Sequence, residues 1–487
     1  MQQDEDVECF PIQSQTTSLK RNKVINDPVH GHFELEEYCV DVIDTPHFQR
    51  LRDLKQLGSC YYVFPGATHC RFEHSLGVCH LAGNQLQQLY FKQKHEVFEN
   101  EEEFEYCCRL VRLAGLCHDL GHGPFSHSFD DTFLRKKFGS VASSDDSPPQ
   151  LRHEYRSILL LEDLVNSYSI DINKEDLHII GELIQGSTSS SQHSAIAPFL
   201  YQIVSNKHNS VDVDKFDYLV RDTRATGLKF GFDHSRLMQY CRVIDNWICY
   251  HQKEIFNMYD MFNLRFKLHK IVYNHRTSKA IDYMLMDILL YADSYFDISN
   301  SIFDCSNFIK MTDSILYSIE HSREPSLEKS RQILHSLRTR QLYKFVCEVL
   351  VPSHIPDITE VEVTTHQNTP QVDLRPEDII VQNMRANYAM KEKNPVDNVL
   401  FFRNWEDKNP VHIPREHVSY LIPDVFEEHT VRLYSKSSDP LVMQAAKKAF
   451  QMAIQCYSDS SDVKKQLEEQ SSSEFKVGRN KRKFSSF

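Results

Sequence analysis

The chain has 487 residues, of which 41% are hydrophobic and 25% are charged, a composition typical of a globular protein. Its formal net charge of −13 argues against nucleic-acid binding through the overall field, so positive charge for an anionic ligand must be concentrated locally. Thirteen cysteines without a C-x-x-C pair favour free thiols in a reducing compartment. The acidic N-terminus and the short apolar runs predict a nuclear or cytoplasmic protein, neither secreted nor membrane-bound.

The first predicted element is a polar segment, residues 1–20, that is expected to be disordered. Thr45-Pro46 then places a cap and an N1 proline ahead of apolar residues at helical spacing, and Gly58 is expected to end that helix. Two more helices are predicted, one from about Glu73 and one over Glu103–Leu116.

The middle of the chain alternates predicted loops with predicted helices. Serine-, glycine- and proline-rich stretches predict loops at 138–152 and 186–193. Helical periodicity predicts helices over 153–166, 198–222 and 257–293. A short hairpin over 243–251, with Asp245-Asn246 at its turn, is predicted between the last two.

Beyond about residue 350 the pattern changes to short strands. Strands are predicted over 357–365, 378–382, 398–403 and 430–434, followed by a helix over 439–457. The predicted fold is therefore mainly α, with a helical core at 21–350 and a smaller α+β lobe at 351–457. The tail, 458–487, is expected to be disordered and basic, with Arg479–Lys483 as a nuclear signal or a weak contact for single-stranded nucleic acid.

Three groups of basic residues are candidates for holding an anionic ligand, and solvated helix faces are an equally good interpretation of each. The groups are Arg50, Arg52 and Lys55; Lys215, Arg221 and Arg224; and Lys267, Lys270 and Arg276.

The segment His118–His127 (HDLGHGPFSH) is the strongest sign of function, because it places three histidines and a carboxylate among glycines and a proline. Imidazole and carboxylate are ligands that divalent metals accept, and the adjacent His118-Asp119 pair can offer both to one ion. Further ligands must come from elsewhere in the chain. His74 and Asp214 are the candidates, although a buried or helix-capping role is the commoner one for a single histidine such as His74.

The order His74, His118-Asp119, Asp214 is the defining pattern of the HD phosphohydrolase superfamily, and these four residues would hold one transition metal ion (Zn, Fe or Mn). Longer segments resemble the animal family of deoxynucleoside triphosphate (dNTP) triphosphohydrolases that join a sterile alpha motif domain to an HD domain. The resemblance covers roughly residues 20–455, and the sterile alpha motif domain is expected to be absent. Its segments are 23–32, 61–67, 71–77, 116–127, 212–222, 259–262 and 393–397.

The resemblance implies hydrolysis of a dNTP at the α-phosphorus, releasing nucleoside and intact triphosphate, with Mg²⁺ accompanying the nucleotides. Arg71 would clamp a phosphate. His127 would protonate the departing 5′ oxygen, oriented by Asp130, with His122 and His153 beside the α-phosphate. The implied residues for the triphosphate and the sugar are Gln56, Leu57, Lys215, Tyr218, Asp222, Arg265, His269 and Tyr273.

The resemblance also implies activation by GTP or dGTP and by a dNTP, bound between subunits, which assembles a homotetramer from dimers or monomers. It further implies control of dNTP pools, with restriction of viral replication as a finer hypothesis. The guanine-specific residues would be Asp44, Gln49 and Arg52, and the neighbouring dNTP activator site would use Lys23, Val24, Asn26, Arg236, Lys253, His275 and Arg276. Two residues depart from the family pattern: His251 stands in place of an arginine, and Arg276 in place of a lysine.

Two other functions fit parts of the sequence. A different HD phosphohydrolase, such as a nucleotide monophosphatase or a cyclic-nucleotide esterase, would need the same metal ligands. It would lack the Asp44, Gln49 and Arg52 set and the Lys215 and Tyr218 cradle. Its product would distinguish it, because release of orthophosphate in place of triphosphate would favour it. A nucleic-acid-binding regulator with a structural metal is the second alternative, and the net charge of −13 speaks against it.

Overall fold

The computed structural model describes residues 21–139, 147–187, 196–229 and 231–457, and within these ranges it contains sixteen α-helices and eight strands. The helices are α1 Glu37–Ile43, α2 Pro46–Gln49, α3 Arg71–Val97, α4 Glu101–Cys117, α5 Arg135–Phe138, α6 His153–Tyr168, α7 Lys174–Gln185, α8 Val213–Thr226, α9 His234–Gln239, α10 Ile255–Leu268, α11 Arg276–Phe296, α12 Cys305–Phe308, α13 Ile315–His321, α14 Glu328–Arg338, α15 Glu360–Thr365 and α16 Pro440–Tyr457. The strands are β1 Lys23–Asp27, β2 Gly31–Leu35, β3 Cys241–Ile244, β4 Trp247–His251, β5 Lys344–Val351, β6 Ile379–Asn387, β7 Phe401–Phe402 and β8 Glu427–Ser435.

Helix α3 is the centre of the helical core, and it packs against α4 and α8. The flanking helices begin at well-defined caps, because Asn100 Oδ1 accepts a hydrogen bond from Glu103 N (2.9 Å) and Asp212 Oδ1 accepts one from Lys215 N (3.1 Å). These caps fix where α4 and α8 start. The N-terminal ends of α3 and α8 and the C-terminal end of α4 carry the predicted metal ligands.

Two π-helical turns interrupt the regular helices, one at Phe129–Leu134 and the other at His269–Tyr273. The first includes Asp130, and the second begins with His269 and ends with Tyr273. Such turns widen the helix locally and are frequent at functional sites. Both therefore occur in segments that carry predicted site residues.

An N-terminal hairpin pairs β1 with β2, from Lys23 opposite Leu35 to Asp27 opposite Gly31. Asp27 Oδ1 accepts hydrogen bonds from the backbone of Val29 (2.7 Å) and His30 (2.9 Å), and Gly31 supplies a φ of +75°. These contacts make a tight turn that presents the side chain of His30 to the helical core.

The C-terminal region has its own hydrophobic core, as expected for an α+β lobe. Strands β5, β8 and β6 form an antiparallel sheet in that order, and α15 and α16 pack with it. The fold class predicted from the sequence is confirmed. Strand β5 crosses residue 350, where the lobe was expected to begin.

The strand predicted over 357–365 is wrong, because Glu360–Thr365 forms helix α15. Thr359 Oγ1 accepts a hydrogen bond from Glu362 N (3.2 Å), and the Glu362 carboxylate accepts one from Thr359 N (2.8 Å). This capping box satisfies two backbone donors that a helix start would otherwise leave unpaired. It outweighs the apolar alternation of Ile358, Val361 and Val363.

Three predicted helices are shorter or divided in the structure. The helix after Thr45 changes to a 3₁₀ turn at Arg50–Asp53 and ends there, with Leu54 extended. The segment 198–222 is not one helix, since a 3₁₀ turn at Pro198–Gln202 precedes α8. The long helix at 257–293 is divided into α10, the π turn and α11.

The predicted hairpin at 243–251 is confirmed, with Asp245 (φ 50°) and Asn246 (φ 61°) at the turn between β3 and β4. The C-terminal helix is confirmed as α16. The predicted segments 1–20 and 458–487, and most of the loops at 138–152 and 186–193, lie outside the described residues. Among the described helices, none combines the length and the apolar character that crossing a bilayer requires.

Candidate active site

The four predicted metal ligands converge in the structure. His74 Nε2 lies 3.4 Å from an Asp119 carboxylate oxygen and 3.1 Å from Asp214 Oδ1. His118 Nε2 lies 3.5 Å from oxygens of the same two carboxylates. Donor atoms of His74, His118 and Asp119 all lie within 4.8 Å of one another. Residues separated by more than a hundred positions in the sequence thus form one donor cluster.

Three helix ends hold these ligands in place. His74 lies in the first turn of α3, His118 caps the C-terminus of α4 with Asp119 directly after it, and Asp214 lies in the first turn of α8. His118 Nδ1 bonds to Gly115 O (2.8 Å), which directs its Nε2 towards the carboxylates. The ligands are therefore fixed by the packing of α3, α4 and α8 on one another.

The donor set fits a transition metal ion. Two imidazole nitrogens and two carboxylates suit Zn, Fe or Mn. His118 Nε2 is buried without a hydrogen-bond partner, although buried polar atoms are normally paired. The Asp214 carboxylate is 32% exposed, so the cluster is open on one side. A cation would satisfy the unpaired nitrogen and would leave room for a substrate or a water.

The electrostatics of the cluster also favour a cation. Burial disfavours charge on His74, but hydrogen bonds to Asp214 and Asp217 outweigh it and raise its pKa to about 10. Burial would raise the pKa of the Asp119 carboxyl, but Arg71 and the neighbouring His118 and His122 hold it well below its usual value. The carboxylates of Asp119 and Asp214 are thus ionised, and their negative charge would stabilise a cation bound between them.

A second group of histidines lies beside the metal cluster. The His122 and His153 rings stack at 3.9 Å between centroids, and His127 stands edge-on to both at 5.0 and 5.6 Å. Burial, Arg71 and His153 lower the pKa of His122, and desolvation with the same two neighbours lowers the pKa of His127. In the absence of an anion, His122 and His127 are therefore held in their neutral forms.

Glycine and two strained residues position these histidines. A Cβ on Gly121 would overlap His153 O and lie 2.5 Å from Ser157 N, so only glycine allows α6 to approach this segment so closely. Phe125 and Ser126 adopt positive φ angles of 63° and 58°. Such angles are strained for non-glycine residues and are concentrated at functional sites. They form the turn that leads directly into His127.

The expected pairing of Asp130 with His127 is corrected by the structure. Asp130 forms a close ion pair with Arg156, and its Oδ2 lies 3.3 Å from His153 Nδ1 and 3.9 Å from His122 Nδ1. The carboxylate raises the pKa of His153 against the opposing effect of burial. The contacts of Asp130 therefore favour His153, and not His127, as the histidine that it orients.

Arg71, which was predicted to contact a phosphate, lies beside Asp119 of the metal cluster and Ser126 of the segment that leads to His127. Its Nη1 is in short contact with Asp119, and its Nε donates to Ser126 Oγ (3.0 Å). The guanidinium is therefore fixed on the cavity side of the metal cluster. A planar guanidinium fixed in this way can bind phosphate oxygens with little loss of side-chain entropy.

A cavity of about 460 Å³ opens onto both groups. It is lined by the predicted substrate residues Gln56, Leu57, Tyr218, Asp222, Arg265, His269 and Tyr273. Tyr273 Oη donates to Asp222 Oδ2 (2.6 Å), and His69 Nε2 bonds to the other oxygen of the same carboxylate (2.8 Å). The Tyr273–Asp222 pair is therefore fixed on the wall of the cavity.

Lys215 is the exception among the predicted substrate residues. Its amine bonds to the Asp212 carboxylate at 3.1 and 3.3 Å, and it lines a second cavity together with Lys207, Lys391 and Lys393. The two cavities share Ser205 on their walls. Lys215 thus stands beside the substrate cavity rather than in its lining.

Two of the three basic groups named from the sequence contain structural arginines. Arg50 donates to the backbone carbonyls of Leu120, His122 and Met311, and it therefore holds the HD segment in place. Arg221 is buried in ion pairs with carboxylates. Neither guanidinium is available to an anionic ligand in solvent.

The predicted activator residues lie mostly on the surface, and they form three groups along the chain. In the first, Lys23 Nζ lies 2.6 Å from Asp44, and Arg52 bonds to Gln49 (2.8 Å). The second group is Arg236 and Lys253, both over the Tyr240 ring. The third is His275, beside Phe64, and Arg276, paired with Glu348. Val24 and Asn26 are exposed on β1.

His251, one of the two departures from the family pattern, is buried. It is only 6% exposed, and its Nδ1 accepts a hydrogen bond from Lys253 N (3.1 Å). Burial and the neighbouring Lys253 lower its pKa. The imidazole is therefore a neutral capping group near the activator residues.

Several residues that organise the site are not among those predicted from the sequence. Asp217 contacts the metal ligand His74, and His30 contacts Asp217. Asp313 accepts hydrogen bonds from the backbone of Phe125 (2.7 Å) and Lys55 (2.9 Å). Asp217 carried a usable signal, because it follows Asp214 by three positions and shares its helix face. The other two act across long sequence separations that no local pattern records.

Comparisons with known proteins agree with this geometry. Residues 71–222, which contain all four ligands, match the HD domain family, and residues 232–403 match the HD associated region. The chain is 42% identical over 429 residues to the deoxynucleoside triphosphate triphosphohydrolase SAMHD1 homolog of Dictyostelium discoideum, covering 87% of this chain and 79% of that protein.

Vertebrate relatives are similar over the same extent. The identity is 38% to the SAMHD1 triphosphohydrolase of Gallus gallus (91% of this chain, 76% of that protein) and 39% to that of Homo sapiens (88% and 72%). The four ligands lie inside the matched HD domain, and these alignments extend well beyond it into the C-terminal lobe. The chain therefore belongs to the HD-domain proteins and, among them, to the family of the SAMHD1 deoxynucleoside triphosphate triphosphohydrolases.

Proposed function

We propose that this protein hydrolyses deoxynucleoside triphosphates at the α-phosphorus to a deoxynucleoside and inorganic triphosphate. The observation that carries the proposal is the shared cavity: the metal cluster, the three histidines and the Tyr273–Asp222 pair all face one space of about 460 Å³. Such a space suits a nucleotide-sized ligand. Membership of the triphosphohydrolase family supports the same reaction.

The metal ligands and Arg71 form the phosphate end of the cavity. A transition metal held by His74, His118, Asp119 and Asp214 would activate a water and neutralise charge on the phosphate oxygens. Arg71 would bind a phosphate oxygen from its fixed position beside Asp119. Mg²⁺ would accompany the nucleotide, as it usually does with triphosphates.

His127 is the proposed general acid for the departing 5′ oxygen. It faces the cavity and is held neutral there by desolvation, Arg71 and His153. A bound triphosphate would add several negative charges next to it and would raise its pKa towards the protonated form. His122 and His153 would contact the α-phosphate, with Asp130 holding His153 in orientation.

The opposite wall would select the sugar. Tyr273 and Asp222 are joined by a 2.6 Å hydrogen bond, and Gln56 and Leu57 line the same cavity. Asp222 would accept a hydrogen bond from the 3′-hydroxyl, while the Tyr273 ring would lie against the 2′ position. A ribonucleotide would then bring an extra hydroxyl against that ring, which disfavours it.

We also propose that the enzyme is activated by GTP or dGTP and by a dNTP, and that activation assembles a homotetramer. The surface location of Asp44, Arg52, Arg236 and Lys253 supports sites that a second chain completes. The physiological role proposed is control of dNTP pools in the nucleus or cytoplasm, and, through it, restriction of viral replication.

One assay tests the reaction. The purified full chain is incubated with dATP and Mg²⁺, with and without GTP, and the products are separated by chromatography and phosphorus NMR. We expect deoxyadenosine and triphosphate, formed faster with GTP. Release of orthophosphate or of dAMP would contradict the proposal and would favour another kind of HD phosphohydrolase.

A further inference from the structure

A fully buried carboxylate, Asp217, lies directly behind the metal ligand His74. Its Oδ2 is 2.7 Å from His74 Nδ1, and its Oδ1 is 2.6 Å from His30 Nε2. Arg221 donates to both oxygens, at 2.8 Å each. The carboxylate therefore binds two imidazoles and one guanidinium, away from solvent.

The Asp217 contact decides which nitrogen of His74 faces the metal site. With Nδ1–H donating to Asp217, Nε2 is the nitrogen that points towards Asp119 and Asp214. A metal-ligating histidine commonly donates its other N–H to a carboxylate, which fixes its tautomer and ring orientation. The geometry of His74 meets this requirement.

The chain is shaped to admit this carboxylate. Gly77 lies one helical turn after His74 on α3, and a Cβ there would overlap Asp217 Oδ1 and lie 2.6 Å from Arg221 Nη2. Only a residue without a side chain allows α8 to approach α3 so closely at this point. The close approach of the two helices is thus tied to the position of the carboxylate.

The N-terminal hairpin supplies the other half of the network. His30 belongs to the turn between β1 and β2, and Asp27, at the end of β1, binds Arg221 Nη1 at 2.9 Å. The side chains of Asp27, His30 and Arg221 are at most 4% exposed. The hairpin is therefore anchored by two buried polar contacts, one to Asp217 and one to the Arg221 that pairs with it.

We infer that Asp217 and His30 are positioning residues for His74, and that the N-terminal hairpin is thereby a structural part of the metal centre. The inference rests on the proposed metal-dependent function. It extends that function, because β1 also carries Lys23, Val24 and Asn26 of the proposed activator site. Nucleotide bound at the hairpin would act on the element that holds His74.

Metal affinity, measured without nucleotide, tests the inference. The full chain is stripped with a chelator and titrated with Mn²⁺ in competition with a chromophoric chelator. Loss of an outer partner of a metal ligand usually costs 10–100-fold in affinity. We expect Asp217→Asn and His30→Ala to weaken Mn²⁺ binding by about that factor, and His30→Gln, which keeps an N–H donor, to recover most of it.

Asp293→Asn is the matched control. Asp293 is a buried carboxylate that accepts from Ser299 and pairs with Lys137 at another place in the fold. We expect Asp293→Asn to lower the melting temperature of the metal-free protein and to leave Mn²⁺ affinity within about twofold of the wild type. It thereby separates loss of stability from loss of positioning.

The results distinguish positioning from a merely structural ion pair. If Asp217→Asn and His30→Ala fold but bind Mn²⁺ as tightly as the wild type, the inference is overturned. If Asp217→Asn does not fold, His30→Ala decides by itself, weaker binding supporting the inference and unchanged binding overturning it. The readout contains no nucleotide, so a failure of dNTP hydrolysis would leave this result standing.

Discussion

The metal cluster and the proposed activator surface are built in opposite ways. The four metal ligands come from three helix ends, are mostly buried, and meet within a single chain. The proposed activator residues are mostly exposed and come from three separate stretches of the chain. One region is complete in a monomer, whereas the other, under the proposed function, would be completed by a nucleotide and a second chain. This difference predicts that changes in the two regions have separable effects.

Removing a metal ligand has the largest expected effect. In Asp119→Ala, His74 and His118 lose a shared carboxylate, and Arg71 is left without its partner. We expect dNTP turnover to fall by ~1000-fold or more, because several kcal/mol of charge stabilisation are lost with the metal. Elemental analysis and initial rates, measured with and without GTP, test this prediction.

If the cluster is the catalytic centre, metal content and turnover must fall together in Asp119→Ala. An Asp119→Ala protein that keeps a full complement of metal and normal turnover would mean that the cluster is not the catalytic centre. The matched control is Asp163→Ala. This carboxylate pairs with the buried His47 on another side of the core, and its loss is expected to leave the metal content unchanged.

Removing an activator residue should leave the metal in place and abolish activation by GTP. Asp44 is exposed, contacts Lys23, and lies outside the cavity lining. We expect Asp44→Ala to retain its metal and to lose GTP activation and tetramer formation, with the rate at fixed GTP falling about 5- to 150-fold, the range of typical allosteric coupling. Light scattering with and without GTP, together with initial rates, measures both changes.

Asp41→Ala is the control for this second prediction. Asp41 lies on α1, the helix that Asp44 caps at its C-terminus, and it pairs with Arg21. It should respond to GTP like the wild type. An Asp44→Ala protein that is fully active without any activator would contradict the proposed allosteric site and would leave the catalytic proposal intact.

The sequence was most informative where a function is encoded in consecutive residues. The HD pair and the histidines after it form one short segment, and the mainly helical fold followed from periodicity. Asp217 and His30 were not identified because they meet across 187 positions, a pairing that only the packed helices create. The strand predicted at 357–365 failed for another reason. The capping signal of Thr359 and Glu362 was present, but apolar alternation was given more weight.

A pH experiment tests the hairpin that joins the two regions. His80 stacks on Phe33 of β2, at 4.2 Å between ring centroids, and burial with the nearby His30 and Arg112 lowers its pKa to about 4. In the unfolded chain His80 is protonated below about pH 6.5, whereas in the folded protein it is protonated only below about pH 4. Stability should therefore fall as the pH drops from 6.5 to 4, by on the order of 3 kcal/mol for this group.

The measurement is the free energy of unfolding of the chelated protein between pH 4 and 7. His80→Gln should show a smaller loss of stability with acid than the wild type, because one titrating group is gone. His321→Gln, a change on the surface, should follow the wild-type curve. If His80→Gln has the same pH dependence as the wild type, His80 does not contribute to the acid sensitivity.

The smallest effect is expected for His251, which lies at the edge of the proposed activator surface. His251 is buried against Phe402 and caps the short turn that carries Lys253, so we expect His251→Ala to lose ~1 kcal/mol of stability, the usual cost of a lost cap. Because its imidazole is neutral and inaccessible, the dNTP concentration for half-maximal activation should change less than twofold. Lys253→Ala, whose amine is exposed, should raise that concentration at least fivefold. An equal rise in His251→Ala would place the imidazole in direct contact with the activator, and would extend the surface into the strand β4.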